Sequence, residues 1–173
     1  MVIIICLITI TFSIYYGIGG FDPITVYEYG AADRTVVGKH YIGKFPPRRV
    51  RNFIKEAKAL IDSGRLKGAL TLVEFQNDTI GSDSIHLFIG ASFDEIRNIL
   101  EIPSGFSYEE FQTDKVYQVF ITQHPLVQPL PNEVKELMQD KATEAGRILQ
   151  PVIFDIYYED GSLRTEGWAF EKK

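Results

Sequence analysis

Polar and apolar positions alternate along one stretch of this chain, then recur every three or four residues, then alternate again, and the cycle runs twice. Thr35–Phe45 reads as a strand, and Pro46-Pro47 introduces a helix. Its apolar positions Val50, Phe53, Ile54, Ala57, Leu60 and Ile61 keep the i, i+3, i+4, i+7 spacing of one buried face. Gly64 suits the cap of that helix, Gly68–Gln76 reads as a strand, Asn77–Asp83 as a polar turn and Ser84–Ser92 as another strand. In the second half Lys115–His124 is a strand, and Pro131 opens a helix with Val134, Leu137, Met138, Ala142 and Ala145 turned inward. Gly146 closes it, Val152–Glu159 is a strand, Asp160-Gly161 a tight turn and Leu163–Phe170 the last strand.

The two halves align. Lys39-His40 matches Gln123-His124, Val50 matches Val134, Phe53 matches Leu137 and Ile54 matches Met138, all 84 residues apart. Ser63-Gly64-Arg65 matches Ala145-Gly146-Arg147, and Asp78 matches Asp160, 82 apart. The predicted fold is α+β: duplicated strand-helix-strand-strand units forming a pseudo-two-fold antiparallel sheet with helices on one face. Repeat one spans 35–92 and repeat two 115–173. The connector, 93–114, carries Phe93, Ile96, Ile99 and Leu100 as the apolar side of a short helix.

Within repeat two, Pro151–Asp160 (PVIFDIYYED) is the most informative run. Alternation puts Val152, Phe154, Ile156 and Tyr158 on one face, as core, and Ile153, Asp155, Tyr157 and Glu159 on the other. The second face sets a carboxylate beside an aromatic ring, which suits a ligand cleft. The repeat alignment puts Val73 at the place of Asp155 in the first half, so the acid is not required by the scaffold.

Residues 2–20 contain no charged side chain. Nineteen residues come close to the roughly 30 Å of a bilayer core, so a single transmembrane helix is expected over 1–20. Tyr15 and Tyr16 would lie in the interfacial belt, with Gly17, Gly19 and Gly20 loosening the exit. A signal peptide ending near Gly17-Ile18-Gly19 is the alternative. Arg34 and Lys39 after the segment lean the domain to the cytoplasmic side. Residues 21–34 form a linker with a short strand at Ile24–Tyr29.

At 173 residues and 45% hydrophobic content the chain can bury one core. A net charge of −5 argues against a nucleic-acid partner. The basic cluster Lys39, Lys44, Arg48, Arg49 and Arg51 reads as a solvated strand end and helix start. The single cysteine, Cys6, excludes an intrachain disulfide and every Cys-rich zinc pattern. His40, His86 and His124 show no close ligand spacing, so no metal and no cofactor is expected. A nucleophile elbow is also missing, Ser104-Gly105 lacking its surrounding pattern. Asp155 or Glu74 beside a tyrosine would be the general base of any hydrolytic activity.

His40-x-x-Gly43 and His124-Pro125, each ending a first strand before a helix, together with Asp155-x-Tyr157 behind Pro151 and Trp168 near the end, resemble the GyrI-like domains of the effector-binding superfamily. The resemblance covers about Tyr27–Lys173. It implies a small, apolar or cationic ligand in a cleft between the repeats, with Asp155, Tyr157, Trp168, Tyr117 and Phe75 as ligand-binding residues. Drug-binding relatives carry a Glu where this chain has Asp155, one methylene shorter. It also places His40 and His124 at the strand-to-helix turns. An N-terminal anchor before such a domain is similar in architecture to the testis-expressed reticulophagy receptor family. Phe93-Asp94-Glu95-Ile96 has the aromatic-x-x-aliphatic spacing of those receptors' partner motif but reads as helix packing. Three readings follow: a membrane-tethered ligand-binding domain, a membrane-anchored module for a protein partner, and a small-molecule hydrolase.

Overall fold

The computed structural model describes residues 2–44, 48–76, 84–93 and 102–170. The elements are α1 (Val2–Gly17), β1 (Val26–Tyr29), β2 (Ala32–Lys44), α2 (Arg48–Asp62), β3 (Ala69–Phe75), β4 (Ser84–Phe93), β5 (Ser107–Thr113), β6 (Lys115–Ile121), α3 (Pro131–Glu144), β7 (Ile148–Tyr157) and β8 (Leu163–Phe170). Among the described residues the strands form one antiparallel sheet in the order β1-β6-β8-β7-β3-β4-β2-β5. The units β2-α2-β3-β4 and β6-α3-β7-β8 meet at its centre, where β3 pairs with β7 and Leu72 lies opposite Asp155.

The edges are exchanged between the units. β1 leads into the first unit but pairs with β6 of the second, while β5 leads into the second and pairs with β2 of the first. Each outer edge is thereby covered. β5 lies in the stretch expected to be a connector. The helix expected from Phe93 to Leu100 lies outside the described residues apart from Phe93, which ends β4.

Both helices lie on one face, as the 3.6-residue periodicity requires. α2 buries Val50 and Ala57, the first against Tyr41, Leu87 and Ile89. α3 buries Val134, Met138 and Ala142 against Tyr117, Val119, Ile121, Ile153 and Ala169. This stripe of every fourth residue is narrower than expected, and Leu137 and Ala145 are exposed. The chain leaves α2 and α3 through glycines at φ +70°, Gly64 and Gly146.

The opposite face carries a second core of Val36, Val73, Phe88, Val116, Phe154, Ile156 and Trp168, all buried. The sheet covers this core by curling onto itself. Phe111 of edge strand β5 meets Phe154 edge-on at 5.0 Å, and Thr113 Oγ1 donates to Ala169 O at 2.8 Å. The curl needs a close backbone approach at Gly38 and Gly90, which lie opposite each other in β2 and β4. A Cβ on Gly90 would stand 1.8 Å from Val37 O, inside any allowed contact. Gly90→Ala is expected to cost about 1–3 kcal/mol, the scale of overpacking, read from the urea midpoint.

The N-terminal expectation is corrected. α1 has 16 residues, about 24 Å at 1.5 Å per residue, and no described helix is long and apolar enough to cross a membrane. The glycines end it early: Gly19 takes φ +81°, Gly20 N–H bonds back to Tyr15 O, and His124 N–H donates to Ile18 O, tying the chain to the loop after β6. The transmembrane helix, the membrane as partner and the cytoplasmic side inferred from them therefore fall away.

Three further readings change. β7 starts at Ile148 and runs through Pro151, with a register break between Leu149 and Ile153 where proline has no N–H to give the ladder. His40 lies inside β2 rather than at its turn. Val73 faces the helix-free side, one residue out of phase with Asp155, so it does not occupy that place; Leu72 lies opposite the acid.

Candidate functional site

α2 packs over β3 and β4 and α3 over β6, β7 and β8, so the β3–β7 seam forms the floor between the helices. Strand alternation turns Leu70, Leu72 and Glu74 of β3 and Asp155 and Tyr157 of β7 to this side. Asp155 is half-buried on the floor, and its Oδ1 accepts a hydrogen bond from Thr165 Oγ1 at 2.7 Å. Lys135 reaches down from α3 to donate to Glu74 Oε1 at 2.7 Å. Toward the open end, a cavity of about 490 Å³ is lined by Lys58 and Ile61 of α2, Leu70, Tyr157, Glu159 and Asp160 among others.

Burial pushes the Asp155 carboxyl above the usual carboxylate range; the Thr165 hydroxyl pulls it back, the Glu74 charge raises it and Lys135 opposes that. Burial, and then Asp155, push Tyr157 up to about 12. The floor thus holds an acid whose charge is only partly compensated, next to a neutral phenol and aliphatic walls. Such a place can take a hydrogen-bond donor or a cation with an apolar body.

The five residues expected at a ligand site divide between the faces. Asp155 and Tyr157 lie in the groove. Tyr117 shares their face but is buried under α3, its hydroxyl accepting from Arg147 Nη1 at 3.3 Å. Trp168 and Phe75 point to the opposite side, Trp168 fully buried there. Lys135 was not anticipated, since nothing in its helical spacing links it to a strand 61 residues away. Glu166 was missed too, although alternation in β8 sets it between Arg164 and Trp168 on the helix-free face. The basic cluster is only partly solvated: Lys39 is paired with Glu56 at 2.7 Å.

Solved structures share this fold. A hydrolase from Listeria innocua matches with a TM-score of 0.52 at 8% identity, over 84% of this chain and 91% of that one. EcmrR, from a complex with DNA, matches with a TM-score of 0.52 at 11% identity, over 92% of this chain and 63% of its own. SAV2435 bound to tetraphenylphosphonium is more distant, with a TM-score of 0.43 at 12% identity over 85% and 92% of the two chains. No protein-family model and no curated protein matches the sequence. At these identities the likeness is one of fold alone.

Proposed function

We propose that the chain is an effector-type binding domain whose groove between α2 and α3 holds a small apolar molecule bearing a cationic or hydrogen-bond-donating group against Asp155. The observation that carries this reading is the Asp155 carboxylate, desolvated on the floor beside the Glu74–Lys135 pair and two residues along β7 from Tyr157, which lines a cavity large enough for a small organic molecule. A donor bonded to Asp155 would stabilise its charged form, and Leu70, Ile61 and the Tyr157 ring would cover the apolar body.

The test is calorimetric titration of the full chain with lipophilic cations of differing shape, alongside Asp155→Asn. A hydrogen bond to a charged group is worth about 1.5–3 kcal/mol, so the variant should bind about ten-fold or more weakly. Equal affinity of the two proteins, or silence from every cation, counts against the proposal.

The same variant has a second expected signature, in the free protein. The folded carboxyl titrates above its ordinary value of 3.8, so the native state holds the proton more tightly than the unfolded chain does. Stability contributed by Asp155 is therefore present below 3.8 and is lost as pH rises through the folded value. Asp155→Asn removes that loss. Its melting temperature at neutral pH should equal or exceed that of the parent, and the stability difference should close on acidification.

A further inference from the structure

On the helix-free face, away from the groove, three side chains from three adjacent strands form a chain of contacts. Glu109 Oε1 of β5 stands 2.8 Å from His40 Nε2 of β2, and His40 Nδ1 stands 3.0 Å from His86 Nε2 of β4. Phe75 stacks on the His86 ring at 4.4 Å, and Phe88 lies 4.5 Å from the His40 ring. The rings are held on their aromatic side while the His40 side chain remains 40% exposed. The cluster has no part in the proposed ligand groove.

We propose that His40 and His86 chelate one divalent transition metal ion of the copper(II) or nickel(II) type, with Glu109 as the carboxylate that orients His40. At bond lengths of about 2.0–2.1 Å, two nitrogens about 2.8–3.0 Å apart subtend close to a right angle at the metal, whereas a tetrahedral ion asks for about 3.3–3.4 Å. In the metal-free protein the two nitrogens are hydrogen-bonded at 3.0 Å, so a right-angled chelate of a square-planar or octahedral ion needs almost no change in their separation. Among the described residues no group of three or more His, Cys, Asp or Glu side chains is placed to hold a metal. The site is accordingly a two-nitrogen chelate with water in the remaining positions, open to solvent on the His40 side.

The protonation states suit this role. With the His40 proton on Nε2, where Glu109 Oε1 stands 2.8 Å away to accept it, Nδ1 is the lone-pair nitrogen, the carboxylate–histidine–metal arrangement in which an outer acid fixes the tautomer and raises ligand basicity. Without metal, His86 donates Nε2–H to that lone pair. On binding, His86 shifts its proton to Nδ1 and presents Nε2, so the neutral pair loses no proton.

The experiment titrates the full chain with copper(II), read by calorimetry and by electron paramagnetic resonance. One equivalent should bind with two imidazole nitrogens coupled to the copper, and zinc(II) should bind more weakly. His40→Ala and His86→Ala should each abolish the one-equivalent step, and Glu109→Gln should weaken it about ten-fold or more. His124→Ala, in the loop after β6, should leave it unchanged. A spectrum with one coupled nitrogen or none overturns the site even if a histidine variant fails to fold. So does copper binding that survives loss of His40 or His86, or that disappears with His124.

Discussion

Replacing Glu166 with alanine is expected to cost about 3–5 kcal/mol of folding stability, the scale on which a buried ion pair loses one partner. Glu166 is 1% exposed, and its carboxylate is used on both oxygens. Oε1 accepts from Arg34 Nη2 at 3.1 Å and lies 3.0 Å from Arg164 Nε, while Oε2 accepts from Trp168 Nε1 at 3.1 Å. Arg164 neighbours it on β8, but Arg34 comes from β2, with β7, β3 and β4 between the two strands in the sheet. This bond is therefore made across the curl. Arg34 is itself only 8% exposed, and without the acid its charge loses an ion pair that helps to offset desolvation. Glu166→Gln keeps the volume and an acceptor for Trp168, so it should lose less. Guanidinium unfolding of both variants measures the difference. A loss below about 1 kcal/mol for the alanine variant, the scale of exposed pairs, would mean that aromatic packing closes the sheet without the charges.

Phe154→Ala should be comparably damaging, about 3–5 kcal/mol, as for large-to-small changes in a close-packed core. Phe154 is fully buried and stacks on Trp168 with centroids 4.5 Å apart at 29°, while Phe111 meets it edge-on from β5. Removing the ring leaves a cavity where the folded-over edge strand touches the centre of the sheet. Loss of the near-ultraviolet circular dichroism of Trp168 should accompany the drop in stability. Phe154 and Glu166 lie opposite each other in β7 and β8 and share Trp168, so the double variant should fall short of the sum of the two. Strict additivity would mean that the aromatic stack and the ion pair hold the sheet independently.

These two positions separate the holding of the fold from the binding proposed for it. Phe154 and Glu166 close the helix-free face, and Asp155, the residue after Phe154, looks the other way into the groove. A one-residue step along β7 is thus expected to change a stability phenotype into a ligand phenotype. Asp155→Asn should leave the free protein at least as stable as before, and Phe154→Ala should not.

Much of the architecture was legible because it depends on local periodicity. The strand-helix-strand-strand order within 35–92 and 115–170, the glycine caps Gly64 and Gly146, the last strand Leu163–Phe170 and the alternation of Pro151–Asp160 follow from side-chain spacing and backbone freedom, whereas β5 was not foreseen. The membrane reading failed because apolar length was counted through Gly17–Gly20, where left-handed and turn backbone breaks the helix. The shift of Asp155 against Val73 failed because one residue of slip exchanges the faces of a strand, and repeat matching over an indel does not fix that parity.

Periodicity alone determined that Asp155 and Tyr157 share a face opposite to Phe154 and Ile156. It could not say which face the helices cover, because both faces of β7 carry large apolar side chains, Ile153 and Tyr157 on one and Phe154 and Ile156 on the other. Tertiary structure decided that, through the exchange of the edge strands β1 and β5 and the curl at Gly38 and Gly90. The curl buries one face without helices and leaves the other to be covered by α2 and α3. Contacts such as Arg34–Glu166, Lys135–Glu74 and His40–His86–Glu109 span 132, 61, 46 and 69 residues of chain. No local pattern encodes them; they exist only once distant strands have been laid side by side.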